Sequence, residues 1–247
     1  MRKPIVPKRI EVNYRAQLRR VAHVAGLMIA QHTHIEKDDK GNIVRVILSV
    51  GLQEIVRNYS KSIAPWAQKI AQEMVDNVNS SNKKFLLDTA PQMAKQLKSD
   101  YDKSAIGLVA KSITADQVTL IKSISLEAAE RAQTLAREAT IGSRRASEVA
   151  DMIMSSGDVA KSRADTIART EIHKAWSSLT QSRAQYVGAN QYIWRTAGDE
   201  IVRDSHAEMD GQVCDFNSPP TLSDGDSYNA GEGINCRCYA EPIIGEK

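Results

Sequence analysis

The sequence predicts an α+β fold, in which a mostly helical N-terminal region precedes a small, loop-rich C-terminal domain of short strands packed on a helix. Three observations predict it. Aromatic residues make up only 5% of the 247 residues, so the cores must be built from aliphatic side chains, which favours helix packing over a β-sandwich. Up to about Asn190, apolar residues recur at helical spacing. Beyond Asn190, Gly, Asp, Asn and Pro accumulate between short stretches of alternating apolar and polar residues.

The helical region contains six segments with amphipathic or helix-boundary patterns. The fourth begins after Thr114, which we predict to be an N-cap that forms a capping box with Gln117. A polar break at 33–42 is predicted as a loop with a turn at 40–42, whereas the β-branched run 43–50 fits either a short strand or the start of a helix. Trp176, in the last segment, is predicted to face the core. The six predicted segments are 11–32, 62–78, 85–101, 115–139, 143–154 and 158–187.

Residue composition and periodicity change after this region. We predict a domain boundary at 157/158, before the last helical segment, on which the C-terminal strands and loops are expected to pack. Residues 1–157 are predicted to form a helical docking region and residues 158–247 a compact C-terminal domain. Strands are predicted at 191–196 and near 212–216 and 237–242. Such a loop-rich region buries little apolar surface by itself, so we expect further interactions to hold it together.

Charge is distributed unevenly along the chain. The net charge is only +3, but the residues from Arg195 onward include four Lys or Arg and eleven Asp or Glu, which leaves 29 basic and 19 acidic residues before them. This asymmetry suggests two regions that face different partners. The longest apolar run, 21–30, falls well below the ~20 residues of a membrane span, and the first ten residues lack the pattern of a signal peptide.

The C-terminal part carries an ordered series of motifs. Ala168-Arg-Thr-Glu-Ile172 is followed by Trp194-Arg-Thr-Ala-Gly-Asp-Glu200, then Val202-Arg203, Ser205-His206 and Met209-Asp-Gly-Gln212, and finally Gly233-Ile-Asn-Cys-Arg-Cys238. In this order and spacing, the series resembles the C-terminal domain of phage Mu F-like head-morphogenesis proteins, over about residues 160–244.

The resemblance implies a structural protein and not an enzyme. It implies a low-copy minor capsid protein of a tailed bacteriophage, located inside the virion head near the portal and in the host cytoplasm during assembly. The implied partners are the portal protein and the major capsid or scaffold protein, and in some phages the packaged double-stranded DNA; no membrane is implied. The implied role is procapsid assembly, with genome packaging or delivery as a further part of it.

Polar residues of these motifs are predicted to form a hydrogen-bond and ion-pair network that fixes the loops against the helix. Its predicted members are Arg169, Thr170, Glu171, Trp194, Asp199, Arg203, His206, Asp210 and Asn235. The competing interpretation is a metal-dependent hydrolase that uses His206 and Asp210, with Asp199 and Asp204 nearby, as ligands or as acid and base. No complete catalytic or nucleotide-binding motif accompanies them.

The three cysteines of the chain all lie in this small domain. Cys214, Cys236 and Cys238, together with His206, are the ligand set of a Cys3His structural zinc site. Two alternatives stay open: a hydrogen-bonded core without metal, and a disulfide of Cys214 with one of the other two. Members of the family commonly have an aromatic residue at the position of Cys214, so a site shared by the family could not depend on it.

A basic run near the N-terminus is the candidate nucleic-acid contact. Its predicted contact residues are Arg2, Lys3, Lys8, Arg9, Arg19 and Arg20, which could bind phosphates without reading sequence. The alternative function is therefore that of a non-specific DNA-binding protein ejected with the genome. The same run is also typical of a solvated helix face or a protein-docking tail.

Overall fold

The computed structural model describes residues 6–89, 105–142 and 144–244. Helices dominate before residue 187, and short antiparallel strands form two small sheets, so the predicted α+β class is confirmed. The helices are α1 Lys8–Gln31, α2 Leu52–Ser62, α3 Ala64–Thr89, α4 Ala105–Thr140, α5 Ala146–Met154, α6 Ser156–Tyr186 and α7 Asp204–Ala207. The strands are β1 Thr33–Lys37, β2 Ile43–Leu48, β3 Gln191–Arg195, β4 Val213–Asp215 and β5 Tyr239–Pro242. None of the described helices is both long and apolar enough to cross a membrane.

The described residues pack into two compact units. One, which we call the hairpin unit, comprises 13–70, 116–142 and 144–168; the other, the C-terminal unit, comprises 6–12, 71–89, 105–115 and 169–244. Packing of this kind does not test where independently folding domains begin and end. The predicted domains 1–157 and 158–247 therefore stay a prediction.

The hairpin unit combines an aliphatic helical core with a two-stranded hairpin. Along α1, Tyr14, Leu18 and Val21 are buried at steps of three and four residues, as helical periodicity requires. Strands β1 and β2 pair antiparallel. The turn between them is closed by Asp38, whose Oδ1 accepts hydrogen bonds from the backbone N–H groups of Lys40 (3.0 Å) and Asn42 (2.8 Å). The predicted turn at 40–42 is thus part of this hairpin.

Two glycines of the hairpin unit allow a close helix–helix contact. A Cβ atom added to Gly26 of α1 would lie 2.9 Å from Cα of Gly157 in α6. Carbon atoms in van der Waals contact are about 3.5–4.0 Å apart, so a side chain at either position would push the two backbones apart. The two helices approach closely here because neither residue has a side chain.

The C-terminal unit is built on a three-stranded sheet with the order β4-β3-β5. Tyr192 and Trp194 on the central strand are fully buried, and Phe216 packs its ring 4.6 Å from that of Tyr192. Trp176 of α6 is 5% exposed, which confirms its predicted place in the core. Its ring lies 5.8 Å from that of Phe85 on α3.

A buried arginine joins two helices of the same unit. Arg183 of α6 is only 1% exposed, and its guanidinium donates hydrogen bonds to the side-chain oxygens of Asn79 and Asn82 on α3. Asn82 in turn donates to Thr180 Oγ1 at 2.8 Å. These side-chain amides replace the water that a guanidinium would otherwise require.

Two sequence predictions about local structure were wrong. Residues 33–37 form β1 and not a loop; four of its five side chains are exposed, so the strand has no apolar alternation to reveal it. Thr114 is not an N-cap but lies within α4, where its hydroxyl donates to the carbonyl of Ala110 (2.9 Å), a bond that lets Thr sit inside a helix. Gln117 accepts a hydrogen bond from Tyr14 Oη (2.8 Å) instead. Residues 90–101 of the predicted helix 85–101 lie outside the described residues.

Candidate metal centre

Three of the predicted metal ligands meet in one buried cluster. Nδ1 of His206 lies 3.4 Å from Sγ of Cys236 and 3.4 Å from Sγ of Cys238. All three potential ligand atoms fall within 4.8 Å of one another. Each residue is at most 4% exposed. One imidazole nitrogen and two sulfurs thus lie close enough to bind a single ion, and this set of donor atoms suits a soft divalent metal.

Two chain segments, 30 residues apart in sequence, supply these ligands. His206 lies on the short helix α7, which follows the central strand. Cys236 and Cys238 lie directly before β5, after a tight turn in which the N–H of Cys236 donates to the carbonyl of Gly233 (3.0 Å). Asn235 adopts a φ of 56° in this turn, a conformation that Asn tolerates better than most residues. Its backbone N–H donates to Thr170 Oγ1 on α6 (3.0 Å).

Neighbouring groups orient the cluster. Nε2 of His206 lies 2.9 Å from Oη of Tyr228, so the ring nitrogen that faces away from the sulfurs has a polar partner. The ring of Trp194 contacts His206 edge to face, with centroids 5.7 Å apart. The backbone N–H of Cys238 points at Sγ of Cys236 (3.4 Å). The imidazole therefore has partners at both of its nitrogens and packs against an aromatic ring.

The two thiols perturb each other. A hydrogen bond from the Cys238 thiol lowers the pKa of Cys236 well below its ordinary value, against the opposing effect of burial, and His206 lowers it further. The same bond and burial raise the pKa of Cys238. The hydrogen bond between the two side chains therefore shifts their pKa values in opposite directions. Burial raises the pKa of Cys214, which lies elsewhere.

The loop before the cysteines is pinned to α6 and the sheet. Ser177 donates to the carbonyl of Ala230 (2.7 Å), and Asn229 accepts a hydrogen bond from Tyr192 Oη (3.1 Å). Gly231 has a φ of 91°, and a Cβ atom there would lie 2.9 Å from the carbonyl oxygen of Cys238. Glycine at position 231 thus allows the loop to pass directly over the backbone of a cluster residue.

Three of the residues predicted for a polar network form hydrogen bonds or ion pairs within the loops of this region. Asp199 pairs with Arg237 at 2.7 Å. Arg203 donates to the carbonyl of Ile234 at 2.9 Å. Asp210 accepts hydrogen bonds from the N–H (2.8 Å) and hydroxyl of Thr196. The carboxylate of Asp210 thus contacts Thr196, whereas the ring nitrogens of His206 face Tyr228 and the two cysteines.

The three residues predicted on α6 divide in their contacts. Thr170 contacts the cysteine loop through the N–H of Asn235, as described above. Arg169 lies 3.8 Å from Glu11 of α1, and Glu171 lies 3.5 Å from Lys174 of its own helix. Thr170 is therefore a residue of the predicted motif whose bond reaches the loops.

Cys214 is not brought to the cluster. It lies on β4 opposite Tyr192, and its thiol points to the carbonyl of Gln212 at 3.9 Å. The predicted four-residue ligand set is thus reduced to His206, Cys236 and Cys238. All three cysteines are free thiols.

The predicted nucleic-acid contacts are only partly accessible. Lys8, Arg9 and Arg20 on α1 are exposed. Arg19 forms a bidentate ion pair with Asp165, with both N–O distances at 2.6 Å. Arg2 and Lys3 lie outside the described residues.

Sequence reasoning missed Tyr228 and Arg237. Tyr228 lies in a loop whose polar residues give no periodic signal, and its ring packs against Gly233, where a Cβ atom would come within 2.8 Å of it. Arg237 stands between the two cysteines, and its pairing with Asp199 joins the two ligand-bearing segments. An Arg between two predicted ligands is a signal that could have been used.

Comparison with known proteins identifies this region. Residues 132–241 match the family model described as phage Mu protein F like protein, a range that includes the whole cluster. An uncharacterized protein of Haemophilus influenzae is 29% identical over 252 residues, which cover 98% of this chain and 55% of that protein. The chain thus spans about half the length of that relative. No solved structure matches the chain significantly. Residues 132–241 are thus similar to the phage Mu protein F-like family, and this similarity supports an assignment to phage head morphogenesis.

Proposed function

We propose that this chain is a minor head protein of a tailed bacteriophage, which is present in few copies and associates with the portal during procapsid assembly. One observation carries the proposal: the match of residues 132–241 to the phage Mu protein F-like family. The proposed place is the head interior, next to the portal, with the major capsid or scaffold protein as a further contact. A contribution to genome packaging or delivery is part of the same proposal.

The geometry of the C-terminal unit supports an assembly role over a hydrolytic one. The carboxylate of Asp199 is paired with Arg237, and that of Asp210 is bonded to Thr196. Both groups thus hold backbone segments in place. A general base requires a carboxylate or imidazole that is within reach of a substrate, whereas His206 is 3% exposed.

Two exposed apolar side chains are candidates for the contact with the portal. Ile201 and Ile234, both in the C-terminal unit, are 79% and 60% exposed. Exposed apolar side chains are common at protein–protein contacts. Because both lie within the family-matched residues, we propose that these two side chains contribute to the portal contact. Val50 of the hairpin unit is equally apolar and fully exposed, which makes it a suitable control position.

The test is co-expression with the portal, the major capsid protein and the scaffold of the phage that encodes the chain. Procapsids are purified from cells with and without portal, and the copies of each protein are counted by quantitative mass spectrometry. We expect few copies per procapsid, lost when portal is omitted and reduced by the double substitution Ile201→Ser, Ile234→Ser but not by Val50→Ser. A chain that is absent from procapsids made with portal would refute the proposal.

The second candidate is a DNA-binding protein that leaves the head with the genome. It is favoured by the excess of basic residues before Arg195, of which Arg9 and Arg20 on α1 are exposed. A gel-shift titration of duplex DNA at several salt concentrations tests it. If α1 binds phosphates, Arg9→Glu with Arg20→Glu will weaken binding and flatten its salt dependence, more than Arg57→Glu with Lys61→Glu on the exposed side of α2. Equal effects of the two double substitutions would exclude α1 as the contact.

A further inference from the structure

We propose that His206, Cys236 and Cys238 bind one zinc ion, through Nδ1 and the two Sγ atoms, and that this ion fastens the loop carrying α7 to the segment before β5. The proposal does not depend on the role in head assembly. It differs from the set predicted from sequence in leaving out Cys214.

The distances within the cluster fit a tetrahedral ion. With Zn–S of about 2.3 Å and Zn–N of about 2.0–2.1 Å at tetrahedral angles, the nitrogen and each sulfur would lie roughly 3.5–3.6 Å apart. His206 Nδ1 lies 3.4 Å from both sulfurs. An ion could therefore be placed among the three atoms with shifts of a few tenths of an ångström, which side-chain rotations supply.

A metal-free cluster accounts less well for these contacts. A neutral imidazole nitrogen is either a donor or an acceptor, so Nδ1 can make one good hydrogen bond, and sulfur is a weak partner in either role. Nδ1 nevertheless faces two sulfurs at equal distance, inside a site where all three residues are at most 4% exposed. One cation would satisfy the nitrogen and both sulfurs together.

Surrounding groups have the placement that metal sites require. A metal-bound imidazole usually donates its other N–H to an oxygen acceptor, and Tyr228 Oη is 2.9 Å from Nε2 of His206. The N–H of Cys238 points at Sγ of Cys236 (3.4 Å), which would stabilise negative charge on that sulfur.

The fourth coordination position would be taken by water. A cavity of about 150 Å³ adjoins the three ligands and is also lined by Arg203, Asn235 and Arg237. Among the described residues that line it, none is an Asp or Glu. Three protein ligands with a water are also the arrangement of catalytic zinc sites, but no described carboxylate lines this cavity to act as a general base on that water, so we assign the ion a structural role.

A structural ion would matter here because the strands are short. The three strands of the sheet contain five, three and four residues, and much of the rest of 196–244 is loop. When metal-binding residues come together only in the folded chain, the free energy of metal binding becomes free energy of folding. At zinc concentrations of 100 to 1,000 times Kd, we expect Tm to rise by roughly 5–15 °C.

The test uses the whole chain, purified, stripped with a chelator and titrated with Zn²⁺ or Co²⁺. We expect one ion per chain by elemental analysis, the rise in Tm given above, and a sulfur-to-cobalt charge-transfer band in the near ultraviolet. Zinc-edge X-ray absorption should show two sulfurs at about 2.3 Å and lighter ligands at about 2.0–2.1 Å. No bound ion, or a zinc shell without sulfur or with more than two sulfurs, would overturn the proposal.

The cysteines provide the matched control. Cys214→Ser changes a buried cysteine outside the cluster and should leave the ion content and the cobalt band unchanged. Cys236→Ser should reduce metal affinity at least tenfold. Loss of the ion in a folded Cys214→Ser chain would contradict the assignment. If Cys236→Ser does not fold, the sulfur count of the wild-type zinc shell decides the question.

Discussion

The loop over the cysteines offers the sharpest test of the fold around the site, through Gly231→Ala. Gly231 has a φ of 91°, and Gly225 in the same unit has the same φ of 91°. Both substitutions force alanine into a left-handed conformation, which costs roughly 1–2 kcal/mol. Both also lower the entropy of the unfolded chain equally. The backbone contributions therefore cancel between the two variants.

What remains is the contact of the added methyl group. At Gly231 the Cβ atom would lie 2.9 Å from the carbonyl oxygen of Cys238 and 3.4 Å from Cβ of Ser177, whereas at Gly225 nothing lies within 4 Å. The carbonyl is backbone that leads into β5 and cannot rotate away, so overpacking should add about 1–3 kcal/mol. We expect Gly231→Ala to lose about 2–5 kcal/mol and Gly225→Ala only about 1–2 kcal/mol.

The assay is urea unfolding of both variants, followed by Trp fluorescence, since Trp176 and Trp194 are both buried in this unit. Equal losses of unfolding free energy in the two variants would refute the close approach of Gly231 to Cys238. A loss at Gly231 without a change in the slope against urea would support it, since the slope reports the surface exposed on unfolding.

Two further predictions concern the hairpin unit. Gly26→Ala should lower the unfolding free energy by about 1–2 kcal/mol, because the cost of overpacking exceeds the gain in helix propensity. Gly157→Ala should lower it less, since its Cβ atom would lie 3.3 Å from Cα of Gly26. Denaturant unfolding measures both variants, and a stabilised Gly26→Ala chain would contradict the close contact of the two helices. The ion pair with Arg19 lowers the pKa of Asp165, so its contribution is present above the unfolded pKa of about 3.9 and is lost as pH falls through the folded pKa. Asp165→Asn should therefore lower the unfolding free energy by up to about 1 kcal/mol at neutral pH and by progressively less below pH ~4. Denaturant unfolding at a series of pH values measures this loss, with Asp151→Asn as an exposed control. A loss that does not change with pH would count against the ion pair.

Sequence patterns predicted those elements that have one apolar face. The stripe along α1 and the alternation in β3 follow from burial of one side, so their periods of about 3.6 and 2 are visible in the chain. Strand β1 has no buried face: it is held by its pairing with β2, and backbone hydrogen bonds leave no trace in residue type. Thr114 misled for a related reason, since its hydroxyl can bond to a helical carbonyl as well as cap a helix.

Residue types alone predicted the three residues of the cluster but also added a fourth, Cys214, that lies outside it. His206, Cys236 and Cys238 were all named, because Cys and His are rare enough in this chain to stand out. Cys214 was grouped with them because sequence does not give strand register. In the sheet, Cys214 lies opposite Tyr192. Trp194, whose ring contacts His206, comes two residues after Tyr192, or about 6.6 Å further along the same strand. Tyr228 could not be predicted, since its place depends on a loop that runs against Gly233.

The bonds that restrain the loops of the C-terminal unit affect how well this unit could bind a partner. The bonds of Ser177 to Ala230, of Asn235 to Thr170 and of Thr196 to Asp210 contribute on the order of 1 kcal/mol each. The two segments that carry the cluster are joined to each other by the ion pair of Asp199 with Arg237 and by the bond from Arg203 to the carbonyl of Ile234, contacts that can open locally because they are partly exposed. An ion bound at 206, 236 and 238 would add a buried link between the same segments, and opening either one would then also require breaking metal–ligand bonds. Because Ile201 and Ile234 lie on these same segments, the proposed zinc ion would keep their exposed side chains in a fixed arrangement, which lowers the ordering cost of binding a partner.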